Sequence, residues 1–223
     1  MVILAGGFGS RLSEETNLLP KPMINIGNFP ILYHIMQIYS FYGLNDFIIL
    51  SGYKSEVIKN YFLNLNIHLN DFSIDYKSGE LTILGSNKNN WKVSVLFTGE
   101  NSQTGSRISY AQKFVGDQFL LTYGDGLSNI NIKKLIDFHN SHKKIATLSS
   151  VLPDSSFGLF ESDEEGTVKT FIEKPKSKNR VNGGFYVLNS EIFNYINGKS
   201  SQVILEKDVL PELAKKATLK EYK

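Results

Sequence analysis

Short apolar runs alternate with amphipathic stretches along the chain. Val2–Ala5 is apolar throughout and is followed at once by glycines, the pattern of a strand buried on both faces. Residues 30–42 place apolar side chains at helical spacing, with Pro30 suited to a first turn and Gly43 to the position just past the end. Residues 47–50 predict a second buried strand and 55–63 a helix. In 92–97, Val93, Val95 and Phe97 alternate, which predicts a third strand; 119–122 predict a fourth, followed by Gly124-Asp125-Gly126. A helix over 132–141 and a strand over 145–151 continue the series. Strand and helix alternating in this way predict an α/β fold, its mostly parallel central sheet covered on both faces.

Beyond Leu152 the pattern changes. Residues 158–161 and 168–172 flank the polar turn Asp163-Glu164-Glu165-Gly166 and read as a hairpin. Residues 184–188 predict another strand, and 190–195 and 203–216 predict helices; Pro211 should kink the second or mark its first turn. Residues 66–91 are rich in asparagine and lack a period, as an excursion or flap would be. With no Ser/Gly-rich linker, low-complexity run or repeat, residues 1–223 are expected to form one domain.

Composition narrows the function classes. Hydrophobic residues make up 41% and charged residues 21%, which argues against disorder. The net charge of +2 supplies no field for nucleic acid or a membrane surface, so neither is expected as a partner. There is no cysteine, hence no disulfide scaffold, thiolate nucleophile or cysteine-bound metal. The first residues lack a basic region before the apolar run, and no apolar stretch approaches a membrane span, so the expected location is the cytoplasm. Only Arg11, Arg107 and Arg180 among the 24 basic residues are arginines, the better fork for phosphate.

Several motifs carry chemistry. Gly6-Gly7-Phe8-Gly9-Ser10-Arg11-Leu12 follows the first strand, where glycines let backbone amides approach a phosphate. It is neither a P-loop nor the dinucleotide fingerprint, and alone it fits a tight turn equally well. In Pro20-Lys21-Pro22 two prolines stiffen the segment that carries the lysine. Tyr123-Gly124-Asp125-Gly126 puts an aspartate at a strand's C-terminal end, where ligands bind in α/β sheets; alone, it reads as a turn aspartate. Glu173-Lys174-Pro175 and Asn182-Gly183-Gly184 offer groups suited to a sugar or phosphate, and each alone reads as a hairpin end. The polar loop 98–107, containing Thr104, Gly105 and Arg107, could read a base or meet a phosphate, or simply be solvated. His139 and His142 lie three apart on a helix face expected at the surface, and Trp91 is expected to pack.

In this order and spacing the motifs resemble the sugar-1-phosphate nucleotidyltransferases over nearly the whole chain. Within that family, Ser13-Glu14-Glu15-Thr16, Thr98-Gly99-Glu100-Asn101 and Tyr123-Gly124-Asp125-Gly126 are most similar to the cytidylyl branch that acts on glucose 1-phosphate. The resemblance implies a Rossmann-like, three-layer nucleotide-diphospho-sugar transferase fold. It implies transfer of CMP from CTP to a phosphorylated acceptor with release of pyrophosphate, aided by Mg²⁺, in a homo-oligomer serving surface polysaccharide synthesis. Carried over by motif, Leu4, Ala5, Gly6, Gly7, Gly9, Ser10, Arg11, Thr104, Gly105 and Gly124 would bind nucleotide. Arg11, Lys21 and Asp125 would be catalytic, with Asp125 holding the metal. Arg107, Glu173, Lys174, Asn182 and Gly183 would meet the acceptor.

Three departures bear on that reading. The family's second metal-binding aspartate, from a Met-Asp-Thr segment near the C-terminus, has no counterpart before Lys223. Its absence is compatible with a truncated chain, with a metal held by Asp125 and substrate oxygens, or with lost turnover in a nucleotide-binding regulatory paralogue. Asn129 replaces a common aspartate, which should affect the acceptor site or a subunit contact. Leu205-Glu206-Lys207-Asp208-Val209-Leu210-Pro211 resembles guanylyltransferases for mannose or heptose 1-phosphate. Those acceptors, or a non-sugar phosphate such as phosphoglutamine, are therefore alternatives.

Overall fold

A computed structural model describes residues 1–9, 19–85, 89–154, 157–175, 177, 179–196 and 202–223. In chain order the strands are β1 (Val2–Ala5), β2 (Asn25–Ile26), β3 (Phe29–Pro30), β4 (Asp46–Ser51), β5 (Phe72–Asp75), β6 (Glu80–Ile83), β7 (Lys92–Phe97), β8 (Gln118–Tyr123), β9 (Ala146–Val151), β10 (Leu159–Ser162), β11 (Val168–Ile172), β12 (Val181–Asn189) and β13 (Leu219–Tyr222). The α-helices are α1 (Ile31–Phe41), α2 (Ser55–Leu69), α3 (Thr104–Ser109), α4 (Ile132–His142), α5 (Phe193–Ile196) and α6 (Leu210–Lys215).

Seven strands form the main sheet in the order β13-β9-β12-β8-β1-β4-β7. β1 pairs in parallel with β4 on one side and β8 on the other, β4 with β7, and β9 with β13. β12 runs antiparallel to both its neighbours, β8 and β9. Alternate residues of each strand therefore feed opposite layers. Val2, Leu4, Ile48, Leu50 and Leu121 join Ile108, Phe193, Leu205 and Leu213 in one core. Ile3, Ala5, Phe47, Ile49 and Leu120 meet Leu32, Ile35, Met36 and Leu135 in the other. The apolar runs read as strands are thus buried on both faces, which gives the expected three-layer α/β architecture.

The structure departs from the sequence pattern in several places. α2 continues to Leu69, and the stretch expected as a flap adds the two-stranded β5–β6 hairpin. The final helix opens as a π-helical turn over Leu205–Val209 before α6, with Pro211 in the first turn of α6, where its missing N–H costs little. His139 is buried, not exposed: it packs between β9 and β12 and bonds Thr147 Oγ1 at 2.8 Å and Asn189 Oδ1 at 3.0 Å. The apolar side of α4 is wider than residue type suggested, because these two polar partners accommodate the imidazole.

The topology positions the site. β1 lies between parallel neighbours whose connections leave in opposite directions, and a ligand crevice forms outside the carboxyl ends of strands at such a switch point. The segments following β1, β4, β7 and β8 all emerge at that edge.

Candidate active site

A cleft of about 320 Å³ lies at this edge, with Leu4, Gly7, Gly9, Lys21, Thr104 and Asp125 among its walls. A larger hollow of about 470 Å³ between α2 and β7 has mostly apolar walls and one cation, Lys59. It lacks the converging cation, carboxylate and glycine backbone of the smaller cleft.

Lys21 is held by its neighbours. It begins a 3₁₀ turn (Lys21–Met23) in which Met23 N–H donates to Pro20 O at 2.8 Å and Pro22 and Met23 are buried. Gly124 N–H donates to Leu4 O at 2.8 Å. A Cβ on Gly124 would stand 2.9 Å from Leu4 O and 3.0 Å from Pro22 Cγ, so only glycine lets β8 end this close to the lysine segment. The result is an ion pair, Lys21 Nζ to Asp125 Oδ2 at 2.6 Å, with both side chains partly open to the cleft. A point cation and a carboxylate are thereby fixed side by side in a cleft whose walls include Gly7 and Gly9.

Arg107, expected as an acceptor ligand, is one of the cleft's wall residues, yet its side chain is almost wholly buried. It is 4% exposed, and its guanidinium donates to Gly6 O (2.7 Å), Gly99 O (2.7 Å), Glu100 O (2.9 Å), Thr98 Oγ1 (2.5 Å) and Ser51 O (3.3 Å). A Cβ on Gly6 or on Gly52 would come within 2.3 Å of the same group. Arg107 therefore straps the loops after β1, β4 and β7 together within the cleft's wall. Desolvation pushes its pKa down, and its Nη1 and Nη2 donors are engaged by carbonyl and hydroxyl oxygens.

Of the other residues expected at the site, Leu4, Ala5, Gly7, Gly9, Thr104 and Gly124 line the cleft with Lys21 and Asp125. Gly105 is buried against the C-terminal segment, where a Cβ would meet Val203 Cγ1 at 2.8 Å. Ser10 and Arg11, and the 13–16 motif, lie outside the described residues. Glu173, Lys174, Asn182 and Gly183 are not among the cleft's described wall residues. Glu173 and Lys174 are exposed and 4.0 Å apart, and Lys174 adopts a left-handed φ of 44°. Gly183 lies where a Cβ would be 2.7 Å from Ser149 Oγ. Asn129 borders a separate shallow hollow with Phe41 and Tyr42.

Residue patterns missed a hydrogen-bonded group behind the cleft. Glu206 Oε2 accepts from Thr104 Oγ1 at 2.7 Å, and its Oε1 accepts from the Tyr123 hydroxyl. The Tyr123 hydroxyl lies 2.9 Å from that of Tyr186, which accepts from Asn182 Nδ2. Burial, with Tyr186 and Glu206 adding to it, pushes the Tyr123 phenol far up, so it keeps its proton. No linear signal joins Glu206 to residues 83 and 102 positions away.

A cleft at the switch point of an α/β sheet that gathers a cation–carboxylate pair and a glycine loop has the chemistry to suit a phosphorylated ligand. The model of the nucleotidyl transferase family matches residues 1–222, and the chain belongs to that family. It is 45% identical over 223 residues to the probable glucose-1-phosphate cytidylyltransferase of Bacillus subtilis (strain 168), covering all of this chain and 87% of that protein. It is 42% identical over 221 residues to the glucose-1-phosphate cytidylyltransferase of Salmonella typhi, covering 98% of this chain and 85% of that one. The solved structure of HddC from Yersinia pseudotuberculosis complexed with GMP-PN superposes with a TM-score of 0.67 at 27% identity, covering 99% of this chain and 88% of that chain. Among the described residues, no helix is long and apolar enough to cross a membrane.

Proposed function

We propose that this protein is a cytidylyltransferase that moves CMP from CTP to glucose 1-phosphate. The observation that carries the reading is the Lys21–Asp125 pair sharing a cleft with the glycine loop; the 45% and 42% identities support the choice of substrates. A phosphate oxygen of the acceptor attacks the α-phosphorus, the bond to the bridging α,β oxygen breaks in line, and pyrophosphate leaves with the electron pair. No covalent enzyme intermediate forms. The protein's contribution is position and charge, which suit phosphoryl chemistry.

In this reading the backbone of residues 6–10 cradles the triphosphate, with Arg11 on the leaving pyrophosphate. Lys21 bridges the reacting phosphates. Leu4, Ala5, Thr104 and Gly105 surround the nucleoside side, while Glu173, Lys174, Asn182 and Gly183 serve the acceptor. Arg107 is assigned to shaping the loops from the cleft's wall, because its Nη1 and Nη2 donors are engaged by the loops' own oxygens. Among the described residues no group of three His, Asp or Glu side chains gathers to hold a metal. One partly exposed carboxylate fits Mg²⁺, which binds through one or two carboxylates and keeps water and substrate phosphates as its other ligands. Asp125 is the residue that would hold it, and the ion would neutralise phosphate charge there. Action in the cytoplasm, homo-oligomerisation and a product used for surface polysaccharide belong to the same proposal.

The 205–211 segment and the relative bound to GMP-PN favour a second reading, guanylyl transfer to mannose or heptose 1-phosphate. The test is pyrophosphate release with each NTP against glucose, mannose and heptose 1-phosphates and non-sugar phosphates, with Mg²⁺ or EDTA. Release with CTP and glucose 1-phosphate is expected. Lys21→Ala should cost about 10²–10³ in kcat, the scale of removing one electrostatic contact to the transition state. Asp125→Asn should lose the Mg²⁺-dependent rate. Release with GTP alone selects the second reading, and NTP binding without release from any pair overturns both in favour of a regulatory role.

A further inference from the structure

We propose that Glu206 is a positioning residue: its carboxylate sets the direction of a hydrogen-bond chain that runs from Thr104, on the nucleotide side, to the amide of Asn182, on the acceptor side. The assignment of Asn182 to the acceptor side rests on the proposed reaction; the chain itself does not.

The direction follows from donor chemistry. An ionised carboxylate only accepts. Thr104 Oγ1 and the Tyr123 hydroxyl must therefore both give their protons to Glu206. Thr104 Oγ1 accepts in turn from Leu205 N–H at 2.9 Å. With its proton spent, Tyr123 can only accept from Tyr186, 2.9 Å away, and the Tyr186 oxygen then accepts from Asn182 Nδ2. The other end agrees independently, because Asn182 Oδ1 accepts from Gly184 N–H at 2.9 Å. Both constraints set the Asn182 amide the same way round. Burial, which keeps Tyr123 and Tyr186 protonated, prevents the chain from losing a donor. Glu206 itself stands in the π-helical turn Leu205–Val209, a rare geometry, and its two oxygens meet one strand through Tyr123 and one helix through Thr104.

A glutamine at 206 breaks the direction without removing bulk. Its single oxygen can serve either Thr104 or Tyr123. If its NH₂ faces Tyr123, the two tyrosine protons reverse and Tyr186 presents a donor to the Asn182 NH₂. Turning the amide then removes the oxygen from Gly184 N–H. If its NH₂ faces Thr104, that hydroxyl receives two donors and its own proton loses its partner.

The test compares Glu206→Gln, Glu206→Asp, Tyr123→Phe and the Glu206→Gln/Tyr123→Phe double variant, each first checked by thermal unfolding. Two readouts are used. The side-chain ¹⁵N–¹H₂ resonances of Asn182, assigned by their loss in Asn182→Ser, report the chain's direction whether or not turnover occurs. They should move, and exchange faster with solvent, in Glu206→Gln and Tyr123→Phe, and return toward the native position in Glu206→Asp. With CTP and glucose 1-phosphate, the acceptor KM should rise about tenfold in Glu206→Gln and in Tyr123→Phe, as expected for one misplaced hydrogen bond. The double variant should be no worse than either single one. Asn182 resonances unchanged in both single variants overturn the proposal even if the wild-type protein proves inactive toward these substrates. So does an acceptor KM that stays fixed, or effects that multiply in the double variant of an active enzyme. Absence of wild-type turnover alone counts against the proposed reaction, and the Asn182 resonances then decide the chain.

Discussion

Replacing Arg107 with methionine, which keeps most of the length and removes the fork, asks how much one buried guanidinium holds in place. Its oxygen partners do not lose equally. Ser51 O also receives Thr98 N–H at 2.9 Å and Thr98 Oγ1 at 2.7 Å, and Gly6 O also receives Tyr53 N–H at 3.2 Å. Gly99 O and Glu100 O depend on the arginine for the contacts seen here. Both contacts are only part-buried, so water reaches the freed oxygens, and at about 0.5–1.5 kcal/mol per hydrogen bond the pair is worth about 1–3 kcal/mol. Among the described residues no carboxylate pairs with Arg107, so removing a desolvated charge returns part of that, leaving about 1–2 kcal/mol. For a chain of this size each kcal/mol lowers Tm by about 2–4 °C, so Arg107→Met should melt about 2–8 °C lower. The loop after β7 should also part from the loop after β1, so calorimetry should find weaker CTP binding at a temperature where the variant is folded. Arg107→Lys, with the charge but not the fork, should fall between. A Tm within about 1 °C of wild type together with unchanged CTP affinity would falsify the strap.

Three further outcomes follow from individual contacts. Gly124→Ala would put a methyl 2.9 Å from Leu4 O and 3.0 Å from Pro22 Cγ. It should separate Lys21 from Asp125 and lower kcat more than it raises the KM for CTP in a pyrophosphate-release assay. Burial pushes the His139 pKa down, and burial with His139 and nearby lysines does the same for His142. The unfolded chain then binds more protons below about pH 6.5, so stability is complete above that pH and is lost as acid is added. His139→Gln should flatten the fall in Tm between about pH 7 and pH 5; an unchanged slope would remove the histidine from that role. Lys174→Ala should raise the KM for glucose 1-phosphate more than that for CTP, and equal effects on both would take it out of the acceptor site.

Much of the fold was legible because two simple periods carry it. Val2–Ala5 and residues 47–50 are apolar on both faces because helices cover both sides of the sheet, and such runs can be recognised without knowing their partners. The chemistry-bearing segments were legible for a local reason too. Glycines after β1, prolines around Lys21 and glycines around Asp125 each constrain backbone over a few residues, and that constraint is written in residue type.

Contacts across long separations were not written there. Arg107 reads as one more polar-loop arginine, and only the packing of three loops around it turns its guanidinium inward to Gly6 O, 101 residues away. His139 occupies a helix position that looks solvated until β9 and β12 supply Thr147 and Asn189. β13 closes one side of the sheet beside β9, and Glu206 meets Thr104 and Tyr123 through a π-turn that no residue pattern announces. The sequence by itself determined where strands, helices and constrained loops lie, because those depend on periodicity and backbone freedom over a few positions. Only the tertiary structure decided which polar groups share a cleft and which are consumed in holding it open, because hydrogen bonds between distant segments exist only once the sheet has set their distances.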